Sequence, residues 1–176
     1  MNKITKAILA ALLTSVLLLT GCSVGFEPSG KTSSTRVGNL APYFQLQDLN
    51  GQTVALSDLK GKAVLLNFWT TWCPDCREEM PYLQQIHDEW SDKGLMLLAI
   101  DIGESPTEIK KFLDTYNLSL LVLLDKSREV AQKYNITSIP TTFFIDKDGI
   151  IQKKVIGDFR NKEQIEGYLI KIIPEL

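Results

Sequence analysis

The chain has 176 residues, of which 44% are hydrophobic, so it can bury one ordinary core and is too short for two full domains behind a leader. Its 19 basic and 21 acidic residues give a formal net charge of −2. This balance, without long runs of one charge, argues against nucleic acid as a partner. We therefore expect one globular domain.

The first 21 residues have the pattern of a secretory signal. Lys3 and Lys6 precede an apolar run, residues 7–19, that is shorter than the roughly 20 residues a membrane-spanning helix needs. Because Leu19-Thr20-Gly21-Cys22 resembles a bacterial lipobox, we predict a lipoprotein signal peptide over residues 1–21 and lipidation of Cys22. A plain signal peptide, or an uncut anchor with an incidental cysteine, is the alternative.

The cysteine count agrees with lipidation of Cys22. Three cysteines outside the cytoplasm leave one thiol unpaired unless one is blocked. Residues 22–36 are rich in Ser, Thr and Gly and show no apolar periodicity, so they are predicted to form a flexible tether. The expected location is extracytoplasmic, on the bacterial cell membrane through a lipid anchor.

From residue 37 onward, short apolar runs alternate with amphipathic segments, a pattern typical of an α/β fold. A β-hairpin is predicted from residues 43–49 and 52–56, because Asn50-Gly51 supplies the positive φ angles of a tight turn. Ser57 is expected to cap the short turn that follows.

Strands and helices alternate along the rest of the chain. Further strands are predicted at 63–68, 95–100, 120–124, 142–145 and 150–156, the first two of them buried on both faces. Helical spacing over Met80–Trp90 is closed by Gly94, and other helices are predicted at 106–116, from a Ser127 cap to 134, and at 161–173 before Pro174.

Trp72-Cys73-Pro74-Asp75-Cys76 stands between a predicted buried strand and an amphipathic helix. In the N-cap region, free backbone N–H groups and the positive end of the helix dipole would stabilise a Cys73 thiolate. Pro74 suits the first helical position. Cys76, one turn on, can reach Cys73 and is expected to be more shielded. We therefore predict that Cys73 attacks a partner disulfide and that Cys76 resolves the mixed disulfide.

Three features together resemble the thioredoxins, specifically the TlpA/ResA-like extracytoplasmic branch of membrane-anchored thiol-disulfide oxidoreductases. They are Phe68-Trp69-Thr70-Thr71-Trp72-Cys73-Pro74-Asp75-Cys76, Pro81 in the helix, and Ile139-Pro140-Thr141-Thr142. The resemblance covers residues 37–176 and implies a thioredoxin-like domain, with a central mixed β-sheet flanked by helices and an N-terminal β-hairpin extension. It also implies a cis Pro140 facing the cysteines, where the backbone of Ile139 pairs with a bound partner.

The sequence departs from common thioredoxins before the cysteine pair, where Asn67 replaces a buried Asp. Asn cannot take the proton of the resolving thiol. In the ResA-like branch a Glu three residues after the second cysteine fills that role, and Glu79 stands at this position. It is one helical turn beyond Cys76, so it could approach the buried sulfur. The alternative is a solvated carboxylate, as expected for Glu78.

Residues near the pair are expected to bind the partner. Asp75 places a negative charge beside Cys73, which opposes thiolate formation and makes the pair more reducing. Trp72 resembles an exposed family tryptophan at the docking surface, whereas Trp69 is expected to pack in the core. The predicted partner-binding residues are Trp72, Pro74, Asp75, Ile139 and Pro140. No cofactor is expected, and His87 has no second histidine with which to form a metal site.

Two other functions on the same fold fit less well. Sco-like copper-binding chaperones resemble CxxxC with a distant downstream His, and this chain has CxxC and no His after His87, so a third soft-metal ligand is missing. Peroxiredoxins need a PxxxTxxC context, which the stretch before Cys73 lacks. A dithiol oxidase that forms disulfides in secreted proteins stays open.

Ile139, Asp75 and the ResA-like resemblance favour a reductant of protein disulfides. Outside the cytoplasm such a reductant needs electrons from across the membrane, so the resemblance implies a membrane donor of CcdA type. Acceptors in this branch are apocytochrome c, during cytochrome c maturation, or methionine sulfoxide reductases, and the sequence does not choose between them. We expect a monomer.

Overall fold

The computed structural model describes residues 33–173, in which seven strands form one sheet. The strands are β1 (Gln45–Asp48), β2 (Thr53–Ala55), β3 (Ala63–Trp69), β4 (Leu95–Asp101), β5 (Val122–Leu124), β6 (Thr141–Ile145) and β7 (Ile151–Ile156). The helices are α1 (Pro74–Trp90), α2 (Pro106–Tyr116), α3 (Glu129–Lys133) and α4 (Lys162–Ile172), with single 3-10 turns at Leu56–Leu59 and Ser91–Lys93.

The predicted signal peptide, Cys22, the tether up to residue 32 and Pro174 lie outside the described residues. Within residues 33–173, no helix combines the length and the apolar character that crossing a membrane requires.

The sheet is mixed, with strand order β2-β1-β5-β4-β3-β6-β7. Its centre is parallel, since β4 runs parallel to both β3 and β5, whereas β6 and β7 are added antiparallel on one side. The β1–β2 hairpin extends the other side through an antiparallel contact with β5. This is the expected α/β arrangement with a hairpin extension.

β3 supplies both halves of the core because its side chains alternate between the two faces of the sheet. Leu65 and Trp69 belong to one hydrophobic cluster, together with the buried faces of α1, α2 and α4. Leu66 and Phe68 belong to the other, which includes α3 and Tyr134. All seven residues of β3 are buried, so the prediction of a central strand covered on both faces is confirmed.

Two predicted caps are wrong. The 3-10 turn at Leu56–Leu59 has no side-chain cap, and the Ser57 hydroxyl contacts Asp58 instead. α3 does not begin at Ser127 but after Arg128. The carboxylate of Asp125 lies just after β5 and accepts hydrogen bonds from the backbone N–H groups of Val130 and Ala131, at 3.2 and 2.7 Å. An anionic group at this helix start makes a serine cap unnecessary.

Candidate active site

The cysteine pair lies where β3 passes through a short loop into α1. Cys73 is the N-cap of α1 and Pro74 is its first residue, as predicted. The Sγ atom of Cys73 accepts a hydrogen bond from the backbone N–H of Cys76 at 3.2 Å, so the helix start places a donor directly on this sulfur. Negative charge on the Cys73 sulfur would be stabilised by this donor and by the helix dipole.

The two cysteines form a disulfide, with their Cα atoms 5.3 Å apart. Cys73 retains 5% of its exposure and Cys76 retains none. This difference in exposure is expected if Cys73 contacts the partner and Cys76 attacks Cys73 from the protein interior.

The cis-proline loop faces the pair. The Ile139–Pro140 peptide bond is cis, as the resemblance implies. The carbonyl oxygen of Ile139 is 3.9 Å from the Sγ atom of Cys73, although the two residues are 66 positions apart in sequence. Pro140 is buried and Ile139 is partly exposed, so Ile139 is the part of this peptide unit that a partner can reach.

The surface around the pair contains the predicted partner-binding residues. Trp72 is 68% exposed, and both Pro74 and Asp75 are exposed beside it. Trp69 is fully buried, which agrees with its predicted packing role. The structure therefore brings Trp72, Pro74, Asp75 and Ile139 to one surface around Cys73, with Pro140 behind it.

Glu79 is fully buried on the inner side of α1, whereas its neighbour Glu78 is exposed. Its carboxylate accepts hydrogen bonds from the Nδ2 amide of Asn67, at 2.8 Å, and from the backbone N–H of Phe159, at 3.0 Å. Burial raises the pKa of Glu79 to about 8, and these two hydrogen bonds oppose the rise while the charges of Asp158 and Asp75 add to it. A group with a pKa in this range can accept and return a proton near neutral pH.

Asn67 connects Glu79 to the sheet. Its Nδ2 also donates to the Oγ1 atom of Thr142 at 2.9 Å, and its own Oδ1 atom is buried without a hydrogen-bond partner among the described residues. The amide therefore presents one donor to the carboxylate of Glu79, which an aspartate at this position could do only when protonated.

A second buried carboxylate, Asp101, was not predicted from the sequence. It ends β4 directly beside Trp69 and accepts a hydrogen bond from the backbone N–H of Glu104. Burial, and then the neighbouring Glu104, raise the pKa of Asp101 to about 8. Glu104 in turn accepts hydrogen bonds from the backbone N–H and the hydroxyl of Thr71, at 2.6 and 2.5 Å, and so holds the loop that leads to Cys73.

The place of Asp101 in the sequence is one that indicates a functional site. It is an acidic residue at the carboxyl end of an apolar parallel strand, the edge at which α/β proteins place their sites. Asp158 carries no comparable signal, because its low side-chain exposure of 9% and its ion pair with Arg160 depend on the chain folding back over α1.

Comparisons with known proteins agree with this fold and with thiol-disulfide oxidoreductase chemistry. A sequence model of the AhpC/TSA family matches residues 37–154. Thiol-disulfide oxidoreductase ResA of Bacillus thuringiensis (strain Al Hakam) is 39% identical over 163 residues, which cover 90% of this chain and 94% of that protein. Thiol-disulfide oxidoreductase ResA of Bacillus subtilis (strain 168) is 37% identical over 166 residues, 92% of each chain.

Solved structures show the same architecture. A thiol:disulfide interchange protein of the thioredoxin family from Chlorobium tepidum TLS superposes with a TM-score of 0.70 at 29% identity, covering 78% of this chain and 97% of that one. StoA from Bacillus subtilis superposes with a TM-score of 0.64 at 27% identity, covering 73% and 96%. The chain therefore belongs to the AhpC/TSA family and is a ResA-like, thioredoxin-fold thiol-disulfide oxidoreductase with a Cys73–Cys76 pair.

Proposed function

We propose that this protein reduces disulfides in protein partners, with Cys73 as the attacking thiol and Cys76 as the resolving thiol. The observation that carries the proposal is the setting of Cys73. Its sulfur caps α1, accepts a backbone hydrogen bond, and faces the Ile139 carbonyl at the edge of an exposed surface. A partner sulfur approaching that surface would meet Cys73 before the fully buried Cys76.

The reaction uses two exchange steps. The Cys73 thiolate attacks one sulfur of the partner disulfide, forming a mixed disulfide, and the departing partner sulfur leaves as a thiolate that takes a proton from solvent. Cys76, once deprotonated, attacks Cys73 and releases the second partner sulfur. The partner gains two electrons and two protons, and the enzyme pair becomes a disulfide.

Glu79 is proposed to accept the proton from Cys76. Its burial favours the neutral acid, yet its pKa of about 8 leaves a usable fraction ionised near neutral pH. The carboxylate follows Cys76 by one helical turn on the buried face of α1. Fixed hydrogen bonds from Asn67 and Phe159 hold it in place between turnovers.

The remaining surface residues are proposed to bind the partner. Trp72, Pro74 and Asp75 would contact it on the helix side, and the Ile139–Pro140 unit would pair with its backbone. Exposed Asp75 places a negative charge beside the Cys73 sulfur, which opposes the thiolate of the reduced pair, favours the disulfide over the reduced form and so makes the pair a stronger reductant.

The proposed setting is the outer face of a bacterial cell membrane, reached after cleavage of residues 1–21 and lipidation of Cys22, with residues 22–36 as a tether. A membrane thiol carrier of CcdA type would re-reduce the pair. The proposed acceptors are apocytochrome c or a methionine sulfoxide reductase, as the resemblance to the TlpA/ResA-like branch implies.

A trapping experiment tests the proposal. Cys76→Ser removes the resolving thiol, so the physiological partner should remain covalently bound to Cys73 and be released by a reducing agent. Cys73→Ser is the matched control and should trap far less. Recovery of an apocytochrome c or of a methionine sulfoxide reductase would name the acceptor. Equal trapping by both variants would contradict the assigned roles.

A further inference from the structure

A groove of about 360 Å³, lined by both apolar and polar residues, opens beside the cysteine pair, on the side of the cis-proline loop. Trp72 and Ile139, which flank Cys73, form part of its wall, and Ile102 and Ile136 continue it away from the pair. Arg128 is the one charged residue among those that line it. A partner segment that reaches Cys73 past Ile139 would therefore lie along a wall of apolar and uncharged polar residues with a single cation.

Gly103 leaves room for the side chain of Arg128, which is an exposed residue. Arg128 adopts a left-handed conformation, with φ 62°, at the start of α3. Its side chain crosses Gly103 so closely that a Cβ atom added there would lie 3.0 Å from the Nε atom of Arg128. Gly103 itself has φ +87°, which other residues rarely adopt. The side chain of Arg128 therefore lies over the loop that follows β4.

The guanidinium group of Arg128 has no carboxylate partner within residues 33–173. The ion pairs found there involve Arg160 and Lys162, and the side-chain hydrogen bonds found there do not include Arg128. Arg77, on the opposite flank of the pair, is different. It donates to the hydroxyl of Tyr116 and lies 5.5 Å from the centre of that ring.

We propose that Arg128 selects partner segments that carry a carboxylate side chain close to their disulfide. This inference rests on the proposed function and names the chemistry of the partner. A segment that covers the groove removes water from Arg128, so a partner without a negative group leaves a partly buried charge unpaired. A carboxylate can instead form two parallel hydrogen bonds with the guanidinium group. Selectivity then arises from charge complementarity rather than from contact area.

A peptide panel tests this proposal. Each peptide has one disulfide and a single Glu, Gln or Lys, and the panel places this residue at successive positions on either side of the disulfide. The reduced protein is mixed with each peptide in a stopped-flow instrument, and the rate of reduction of the peptide disulfide is measured. We expect a Glu at one or two positions to raise the rate about five-fold over Gln, as for an ion pair at the edge of an interface. This advantage should shrink with added salt.

Variants of Arg128 test whether the preference for Glu peptides depends on this groove. Arg128→Gln should abolish the ratio of Glu to Gln rates, Arg128→Lys should keep much of it, and Arg128→Glu should favour the Lys peptides. Arg77→Gln is the matched control and should leave the ratio unchanged. The inference is wrong if no position shows a Glu advantage, or if the advantage survives in both Arg128→Gln and Arg128→Glu.

The panel also separates this inference from the proposed function. If the reduced protein reacts with all peptides at one common rate, disulfide reduction stands and carboxylate selection fails. If it reacts with none of them, nor with the small neutral reagent hydroxyethyl disulfide, the proposed function itself fails.

Discussion

Replacing Glu79 by glutamine should change how the stability of the protein depends on pH. The pKa of Glu79 is about 8 in the folded protein, against an ordinary value of 4.5. Below pH 4.5 the group is protonated in both the folded and the unfolded state. Between these values the unfolded chain releases a proton that the folded protein retains, so the free energy of unfolding falls as pH rises, and the loss is complete above about pH 8.

The size of the effect follows from the same two values. At about 1.4 kcal/mol per pH unit, ionisation of Glu79 lowers the free energy of unfolding by about 4 kcal/mol between pH 5 and pH 9. Glutamine does not ionise, so the free energy of unfolding of the variant does not fall with pH for this reason. At pH 5 it should be the less stable protein by about 1 to 2 kcal/mol, because its amide can accept from only one of the two donors, Asn67 and Phe159.

Urea denaturation of the oxidised wild type and Glu79→Gln at pH 5, 7 and 9 measures this difference. The variant should be less stable at pH 5 and more stable at pH 9. Because Asp101 contributes equally to both proteins, its own raised pKa cancels in the comparison. Glu78→Gln, at the exposed neighbouring position, is the control and should follow the wild type. Parallel curves for Glu79→Gln and wild type would refute the assignment of a buried, neutral Glu79.

The same variant has a kinetic consequence. If Glu79 accepts the proton of Cys76, closure of the Cys73–Cys76 disulfide from a mixed disulfide should slow by about 100-fold near neutral pH. Rapid-quench alkylation of the mixed disulfide measures this step. An unchanged rate would remove Glu79 from the mechanism while leaving its effect on stability intact.

Three further perturbations probe other parts of the structure. Asp75→Asn should increase the thiolate fraction of Cys73 and make the pair less reducing; ultraviolet thiolate absorbance and a glutathione titration measure both, and a change in the opposite direction would contradict the role given to Asp75. Glu104→Ala should speed amide hydrogen exchange at Thr71 and lower the free energy of unfolding by about 1 to 3 kcal/mol, because two donors of Thr71 lose their acceptor. Exchange at the wild-type rate would argue against the role of Glu104 in holding this loop. Leu83→Ala, at a fully buried position, should cost about 2 to 5 kcal/mol in urea denaturation, and a smaller loss would contradict the packing of α1.

Local signals in the sequence predicted most of the elements. Asn50-Gly51 marked the place of the hairpin, but the predicted tight turn is wrong, because only Gly51 has a positive φ and residues 49–52 separate the two strands. Pro106 marked the start of α2. Cys73 and Pro74 marked the start of α1. Ser127 shows the limit of such signals. Asp125, which directly follows β5, accepts the hydrogen bonds from the start of α3 that Ser127 was predicted to accept.

The buried network could not be predicted because it is made by distant parts of the chain. The resemblance predicted that Glu79 rather than Glu78 approaches the buried sulfur, but the partners of Glu79 depend on tertiary packing, since the hydrogen bond from Phe159 spans 80 residues. Thr71 and Glu104 meet only because β3 and β4 are adjacent and parallel, which the order of the strands in the sequence does not state. Burial, and with it a raised pKa, follows from these contacts.

Redox titration with alkylation and mass spectrometry tests the central claim most directly. The protein is equilibrated with mixtures of oxidised and reduced glutathione, and free thiols are trapped after each equilibration. The account predicts one two-electron transition in which Cys73 and Cys76 open and close together, with Cys73 alkylated first in the reduced protein. Preferential alkylation of Cys76, or a pair that never opens at any glutathione ratio or with excess dithiothreitol, would contradict it.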